Sequence, residues 1–177
     1  MRIISGTFKG RILADPTSRV THPMSEKIRG ALFNTLGDVD GLTLLDAFTG
    51  TGSVAIEAIS RGVASVVAID NDVDAFKCVT ENVQKLHLTK QIEVICANVT
   101  TWSKNNKKRT FSLVVADPPF NQVNDDMLAR LTLHVAPKGV FVASIPEDFA
   151  PKPLEGLELV KSKTYGNATL LFYKRTD

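Results

Sequence analysis

From residue 42 onward, short apolar runs alternate with stretches of helical periodicity, and this alternation constrains the fold more than any other feature of the chain. The runs are Leu42–Asp46, Ser65–Asp70, Ile92–Cys96, Phe111–Asp117 and Gly139–Ile145. Helical periods fall near 53–61, 73–87 and 124–135, with a short, weak one after Asn98. Parallel strands need long crossovers, usually helical, so the pattern predicts βαβ units and an α/β, doubly wound, mostly parallel sheet covered on both faces. The last runs, Leu157–Lys163 and Thr169–Tyr173, have no helix between them and predict a C-terminal antiparallel hairpin closing the sheet. Residues 38–177 are expected to form this domain.

Residues 1–37 read as a small extension. Arg2 to Ile4, a turn at Ser5-Gly6, and Thr7 to Leu13 predict a β-hairpin. After a turn at Asp15-Pro16, a helix is predicted from Met24 to Leu36, its apolar face made by Met24, Ile28, Ala31, Leu32, Thr35 and Leu36. The extension is basic: residues 1–30 hold Arg2, Lys9, Arg11, Arg19, Lys27 and Arg29 against Asp15 and Glu26, a balance of +4 in a chain of net charge +2. A basic arm on a slightly acidic body suits a phosphate-bearing partner, although a solvated face is the commoner meaning of such charge. With 44% hydrophobic and 23% charged residues among 177, the chain is neither disordered nor fibrous, and no apolar stretch reaches bilayer length. Cys78 and Cys96 form no Cys-x-x-Cys pair and the first ten residues carry no signal-like apolar run, so a cytoplasmic location is expected.

Ligands of open α/β sheets bind at the carboxyl ends of the strands. The first strand ends at Asp46, followed by Ala47-Phe48-Thr49-Gly50-Thr51-Gly52 and an apolar helix. The second ends at Asp70, 20 residues after Gly50, where a carboxylate can accept both ribose hydroxyl protons. Alternatively, the loop is a plain strand-to-helix turn and Asp70-Asn71-Asp72 a helix cap. Gly50-x-Gly52-x-x-Ala55 also fits a dinucleotide fingerprint, but Asp46 would set a negative charge where a pyrophosphate should lie. S-adenosylmethionine, with an ammonium, a sulfonium and no phosphate, suits that carboxylate better. Neither Tyr165 nor Tyr173 has a lysine four residues on, as a short-chain dehydrogenase would need.

The fourth strand runs into Asp117-Pro118-Pro119-Phe120. Two prolines fix the backbone and remove two amide donors, leaving carbonyls free to accept. An exocyclic base amine is a poor nucleophile until acceptors hold its hydrogens. Asp117 and the Pro118 carbonyl are candidates for that role, with Phe120 to stack on the base. As a purely structural element, the box would merely end a strand.

With these motifs in place the chain resembles the RsmD-type methyltransferases, which methylate a guanine N2 of small-subunit (16S) ribosomal RNA with S-adenosylmethionine. The resemblance is carried by Arg2-Ile3-Ile4-Ser5-Gly6, Lys9-Gly10-Arg11, Leu13, Ile28-Arg29 and Leu32-Phe33-Asn34. It continues through Leu45 to Gly52, Glu57 to Gly62 and Asp117 to Phe120. It implies a class I methyltransferase fold in which Asp46, Phe48, Gly50 and Gly52 cradle the methionine end, Asp70 with Asn71 the ribose, and Asn98-Val99 the adenine. It also implies that Asp117 and Pro118 orient the target amine beside Pro119 and Phe120. The chain departs from the family at His22-Pro23-Met24, where Arg-Pro-Thr is usual, and at Gly30, where Glu is usual. A helical glycine costs about 1 kcal/mol relative to alanine.

The reading is therefore an S-adenosylmethionine-dependent RNA methyltransferase, with Lys9, Arg11 and Arg29 as RNA phosphate contacts. The expected partner is rRNA in a partly or fully assembled subunit, and a monomer without metal or membrane contact is expected. Other readings are a DNA adenine-N6 or protein-glutamine methyltransferase, an NAD(P)-binding oxidoreductase, and an inert rRNA-binding assembly factor. Cys78 and Cys96 are expected to be buried as small hydrophobes, and Val73, Phe76, Val79, Val83 and Leu86 to be core. His22, His87 and His134 lack ligand-spaced carboxylates. Lys104, Lys107, Lys108 and Arg109 read as a solvated loop, with RNA phosphate contact as the alternative.

Overall fold

A computed structural model describes residues 1–15 and 24–177. In chain order the elements are α1 (Glu26–Leu36), β1 (Thr43–Asp46), α2 (Ser53–Ser60), β2 (Ser65–Asp70), α3 (Val73–Lys85), β3 (Ile92–Cys96) and α4 (Val99–Asn105). They continue with β4 (Phe111–Ala116), a 3-10 turn at Phe120–Gln122, α5 (Asp125–Thr132), β5 (Val135–Pro146), β6 (Leu157–Tyr165) and β7 (Ala168–Arg175). The seven strands form one sheet in the order β3-β2-β1-β4-β5-β7-β6. β1 to β5 are mutually parallel, and β7 runs antiparallel between β5 and β6. The order reverses between β1 and β4, the position at which doubly wound sheets open a ligand crevice.

Strand alternation divides the core between the two faces. Leu44, Val66, Ala68, Leu113, Val115 and Val142 point to one side, and Leu45, Val67, Ile69, Val114, Ala116 and Phe141 to the other. On the first side lie α1, α2 and α3; all eight residues of α2 are buried, and its sequence is apolar apart from Ser53, Glu57 and Ser60. On the second side lie α4 and α5, with Trp102, Leu128 and Leu131. Each such buried aliphatic or aromatic side chain contributes about 1.5–3 kcal/mol relative to exposure.

Residues 1–15 form a strap rather than the predicted hairpin. Antiparallel pairing is confined to a bridge between Arg2 and Ile12, and residues 5–10 make turns instead of a second strand. The reason is that the strap's amides bond to α2: Ile4 and Ser5 donate to the Glu57 carboxylate at 2.8 and 3.0 Å, Thr7 to the Ser60 carbonyl at 2.8 Å and Phe8 to the Ser60 hydroxyl at 2.9 Å. Gly6, at φ 81°, is required there, because a Cβ would sit 1.6 Å from the Ser60 carbonyl oxygen.

Several expectations need correction. Of the predicted α1 face, Leu32 is fully buried and Ile28 and Leu36 pack partly buried against the core. Arg29 and Phe33 are buried as well, because the helix packs against α2 through the Arg29–Glu57 pair. α1 starts at Glu26, where the Ser25 hydroxyl caps the Ile28 amide. Val73 is 55% exposed; it opens α3, and the inward face there belongs to Ala75, Cys78, Val79, Asn82 and Val83. Cys78 is buried, but Cys96 is exposed at the end of the edge strand β3. α5 ends at Thr132 and β5 begins at Val135, because the His134 carbonyl accepts the Phe111 amide and pulls the chain into the sheet. Gly30 packs against the strap, with Ile4 Cδ1 3.7 Å from where a Cβ would be. Pro16 of the predicted turn, Arg19, His22 and Pro23 lie outside the described residues. Among the described residues no helix is long and apolar enough to cross a membrane.

Candidate functional site

At the carboxyl end of β1, Asp46 is 1% exposed and accepts the Thr49 hydroxyl at 2.8 Å. The loop then climbs through Gly50 (φ 53°) and Gly52 (φ 80°), conformations that glycine adopts without strain. At Gly52 a Cβ would also meet Val79 Cγ2 at 2.4 Å, so the bare Cα serves the packing of the loop against α3. The neighbouring strand end holds the loop's other side: Asp70 accepts the Gly50 amide at 2.9 Å on one oxygen and the Asp72 amide at 3.0 Å on the other. Each oxygen keeps a lone pair for a ligand.

Asp117 follows β4, next to β1 at the reversal point, where Asp46 lies opposite Val115. The buried Ser144 of β5 faces the Asp117 carboxylate, and Pro118 is buried. The Pro119 carbonyl accepts the Gln122 amide at 2.8 Å and closes the 3-10 turn, whereas no backbone amide among the described residues takes the Pro118 carbonyl. The rigid box therefore offers two acceptors, the Asp117 carboxylate and the Pro118 oxygen. Phe120, 38% exposed, borders a cavity of about 370 Å³ lined also by Pro146, Glu147, Asp148 and Asn167.

The electrostatics of the crevice define what fits it. Burial pushes the Asp46 carboxyl up from 3.8 to about 7, against the Thr49 hydrogen bond, and the Asp117 and Asp70 charges push it the same way. Burial likewise raises Asp117 to about 6, with the polar Ser144 side chain opposing. Among the described residues none of these three carboxylates has a cationic side chain within ion-pair distance. A cluster of three acids without a counter-charge suits a cationic ligand and disfavours a pyrophosphate. The residues present therefore fit S-adenosylmethionine.

The structure places Asp46, Phe48, Gly50, Gly52, Asp70, Asn71, Asp117, Pro118, Pro119 and Phe120 along this one edge, at or just beyond the ends of β1, β2 and β4. Asn98 and Val99 stand at the next strand end, after β3. Asn98 caps α4 by accepting the Thr100 and Thr101 amides at 3.0 and 3.1 Å, and Val99 packs its side chain into the second core cluster. Lys9 and Arg11 are exposed on the strap. Arg29 is not a phosphate contact. It is 0% exposed, pairs with Glu57 at 3.5 Å, and donates to the Met24 carbonyl at 3.3 Å and to the Arg2 carbonyl. Burial pushes its guanidinium below the ordinary value, with Glu57 opposing.

Four polar residues with no assigned role in the sequence reading support the site: Thr49, Glu57, Asn82 and Ser144. Two carried a signal. Glu57 is the one charge in an otherwise buried apolar helix, and Ser144 the one hydroxyl in the run Val140–Ile145. Asn82 gave none, since an amide among Glu81, Gln84 and Lys85 reads as surface.

The family model described as "Conserved hypothetical protein 95" matches residues 1–174. The chain is 31% identical to the rRNA methyltransferase candidate YlbH of Bacillus subtilis (strain 168), covering 99% of both chains. It is 28% identical to "Ribosomal RNA small subunit methyltransferase D" of Haemophilus influenzae, over 98% of this chain and 93% of that one. Among solved structures, the methyltransferase candidate yhhF of Escherichia coli aligns with a TM-score of 0.88 at 25% identity, covering 99% of this chain and 97% of that one. An RNA methyltransferase from Salinibacter ruber bound to S-adenosyl-L-homocysteine shares the fold, at a TM-score of 0.68 and 17% identity over 87% of this chain and 94% of that one. With nearly the whole length matched, the chain belongs to the RsmD-type family of S-adenosylmethionine-dependent methyltransferases.

Proposed function

We propose that the protein methylates the exocyclic N2 of a guanine in small-subunit ribosomal RNA. The observation that carries this reading is the pair of fixed acceptors, the Asp117 carboxylate and the Pro118 carbonyl, one strand away from Asp46 and the glycine loop. Two acceptors match the two hydrogens of an exocyclic amine, and holding both directs the nitrogen lone pair toward the cofactor side. The ribosomal substrate is supported by the relatives that carry it in their names.

Asp46, Phe48, Gly50 and Gly52 hold the methionine end of the cofactor, Asp70 and Asn71 its ribose, and Asn98 with Val99 its adenine. Because the Asn98 side-chain Oδ1 already accepts two amides, its Nδ2 is the side-chain donor left to face the ring. When bound, S-adenosylmethionine supplies a methyl group activated by its sulfonium. The target base leaves its stack, enters the cavity beside Phe120 and packs on that ring. Asp117 and Pro118 align its amine for in-line attack, in which the N–C bond forms as the C–S bond breaks. The surplus proton then passes to Asp117, whose raised affinity suits it, or to water. Lys9 and Arg11 hold backbone phosphates on the strap side.

The decisive experiment incubates the protein with methyl-labelled S-adenosylmethionine and small subunits from cells lacking it, then digests the RNA. Label in N2-methylguanosine at one position is the expected result. Label in N6-methyladenosine, in protein, or nowhere overturns the guanine assignment.

A further inference from the structure

Asn82 sits two turns into α3, is 2% exposed, and uses both ends of its amide. Its carbonyl accepts the Ala14 amide at 2.8 Å. Its nitrogen donates to the Ala14 carbonyl at 3.1 Å and to the Thr51 carbonyl at 3.0 Å. One buried side chain therefore joins the end of the described strap to the glycine loop. These partners are distant in sequence: Ala14 is 68 residues from Asn82 and Thr51 is 31.

The rest of the strap grips α2, the helix that follows the same loop. α2 begins directly after Gly52, and its Glu57 and Ser60 hold Ile4, Ser5, Thr7 and Phe8. Cys78, one turn before Asn82, donates its thiol to the same Ala14 carbonyl at 3.2 Å. Val79 blocks any side chain at Gly52. The glycine loop thus hangs between two helices, both bound to the strap. Thr51 itself is 0% exposed, and its hydroxyl has no hydrogen-bond partner, so the Asn82 bond to its carbonyl is the polar anchor of that residue on the α3 side.

We propose that Asn82 is a positioning residue through which the N-terminal strap sets the affinity for S-adenosylmethionine, so that strap docking and cofactor binding reinforce each other. The physical basis is linkage. Bound cofactor requires the loop in one conformation; that conformation presents the Thr51 carbonyl to Asn82; and the Asn82 amide, fixed there, presents both of its groups to Ala14. Whatever stabilises one end stabilises the other by the same factor. Since Lys9 and Arg11 lie on the strap, RNA held there favours the loop conformation that holds the cofactor. The coupling rests on the placement of the cofactor in the glycine loop and is independent of which base is methylated.

The test uses the full chain, S-adenosylhomocysteine and two variants, Asn82→Ala and Ala14→Pro. The second removes the strap's amide donor while keeping the Asn82 side chain, whose nitrogen bonds to Thr51. Both variants are expected to weaken S-adenosylhomocysteine by about tenfold, within the range usual for coupled sites. At saturating S-adenosylmethionine, kcat should stay within about twofold while KM for the cofactor rises. In the parent, S-adenosylhomocysteine should slow hydrogen exchange at the Ala14 amide; in Asn82→Ala it should not. Should Asn82→Ala fail to fold, Ala14→Pro and the parent's exchange rates still decide the matter. A lowered melting temperature for Ala14→Pro with unchanged cofactor affinity would make the strap a brace only, and the coupling would be wrong. An Asp70→Ala control with undiminished affinity would instead overturn the placement of the cofactor in the loop, and the coupling with it.

Discussion

The Asp70 carboxylate accepts the Gly50 amide at 2.9 Å, so the acid proposed to read the ribose also fixes the loop proposed to hold the methionine end. The two halves of the cofactor site are one hydrogen-bonded unit spanning adjacent strand ends. Asp70→Ala should therefore cost more than one ribose contact. We expect S-adenosylhomocysteine to bind about 1.5–3 kcal/mol more weakly, as for loss of hydrogen bonds to a charged group. Titration calorimetry measures this directly, and unchanged affinity would remove Asp70 from the site.

Proton linkage at Asp46 gives a second prediction. Its folded-state pKa, about 7, lies above the ordinary 3.8, and Asp117 is raised to about 6. Groups shifted upward contribute stability that is full below pH 3.8 and lost as the pH rises through 6 to 7. The cofactor-free protein should thus lose stability across that window, and Asp46→Asn should flatten the loss. A cationic ligand favours the ionised carboxylates, so its binding should release protons and tighten with rising pH. Calorimetry in buffers of different ionisation enthalpy counts those protons; none released at pH 6 would contradict the crevice electrostatics.

At Asp117 the chemistry itself is at stake. Asp117→Ala should reduce methyl transfer by roughly two orders of magnitude, the usual cost of removing an oriented partner from the transition state. Cofactor affinity should change far less. In the parent, kcat/KM should rise with pH through about 6, since only the ionised carboxylate accepts from the amine. A rate that ignores both the substitution and this pH range would place amine orientation elsewhere.

Arg29 and Glu57 should behave as a buried pair, not as RNA ligands. Removing Glu57 would leave the fully buried Arg29 without a counter-charge, which costs about 3–5 kcal/mol. Removing Arg29 leaves Glu57 still paired with Arg61 at 2.8 Å and bonded to the Ile4 and Ser5 amides. Glu57→Gln should lower the denaturation midpoint strongly, and Arg29→Met less. At temperatures where it is still folded, the salt dependence of RNA binding should match the parent's. A flattened salt slope in Arg29→Met would return it to the RNA surface.

Lys9 and Arg11 are the exposed cations of the strap proposed to meet phosphate. Replacing both with Ala should weaken RNA binding across sequences and reduce the slope of log K against log salt by about 0.7–0.9 for each contact. Titrations of the double variant and the parent at several salt concentrations check this. Parallel slopes would mean a solvated face.

Much of this was legible in the sequence because the informative periodicities are local. β2 and β3 fall at the predicted residues, and Asp46, Asp70 and Asp117 mark strand ends that a parallel sheet must bring to one edge. The extension was less legible. Its amides bond to Glu57 and Ser60, more than 50 residues away, and no periodicity within residues 1–15 announces such partners. Arg29 misled for the same reason: its basic charge was visible and its buried carboxylate partner was not. Asn82 shows the limit most clearly, because an amide on a polar-looking helix reveals its burial only when the strap lies over it.

The long reach of the strap also orders the folding of the chain. Residues 1–15 are made before their anchors, Glu57, Ser60 and Asn82, which lie 52 to 68 residues downstream. Closing such loops costs entropy before any contact rewards it, so the strap joins after α2 and α3 have packed on the sheet. What docks last across a surface is also what detaches first in local unfolding, at a free energy below that of the sheet. The basic strap, proposed to meet RNA, is therefore expected to open before the sheet does, able to lift and settle again while the strands beneath keep their register.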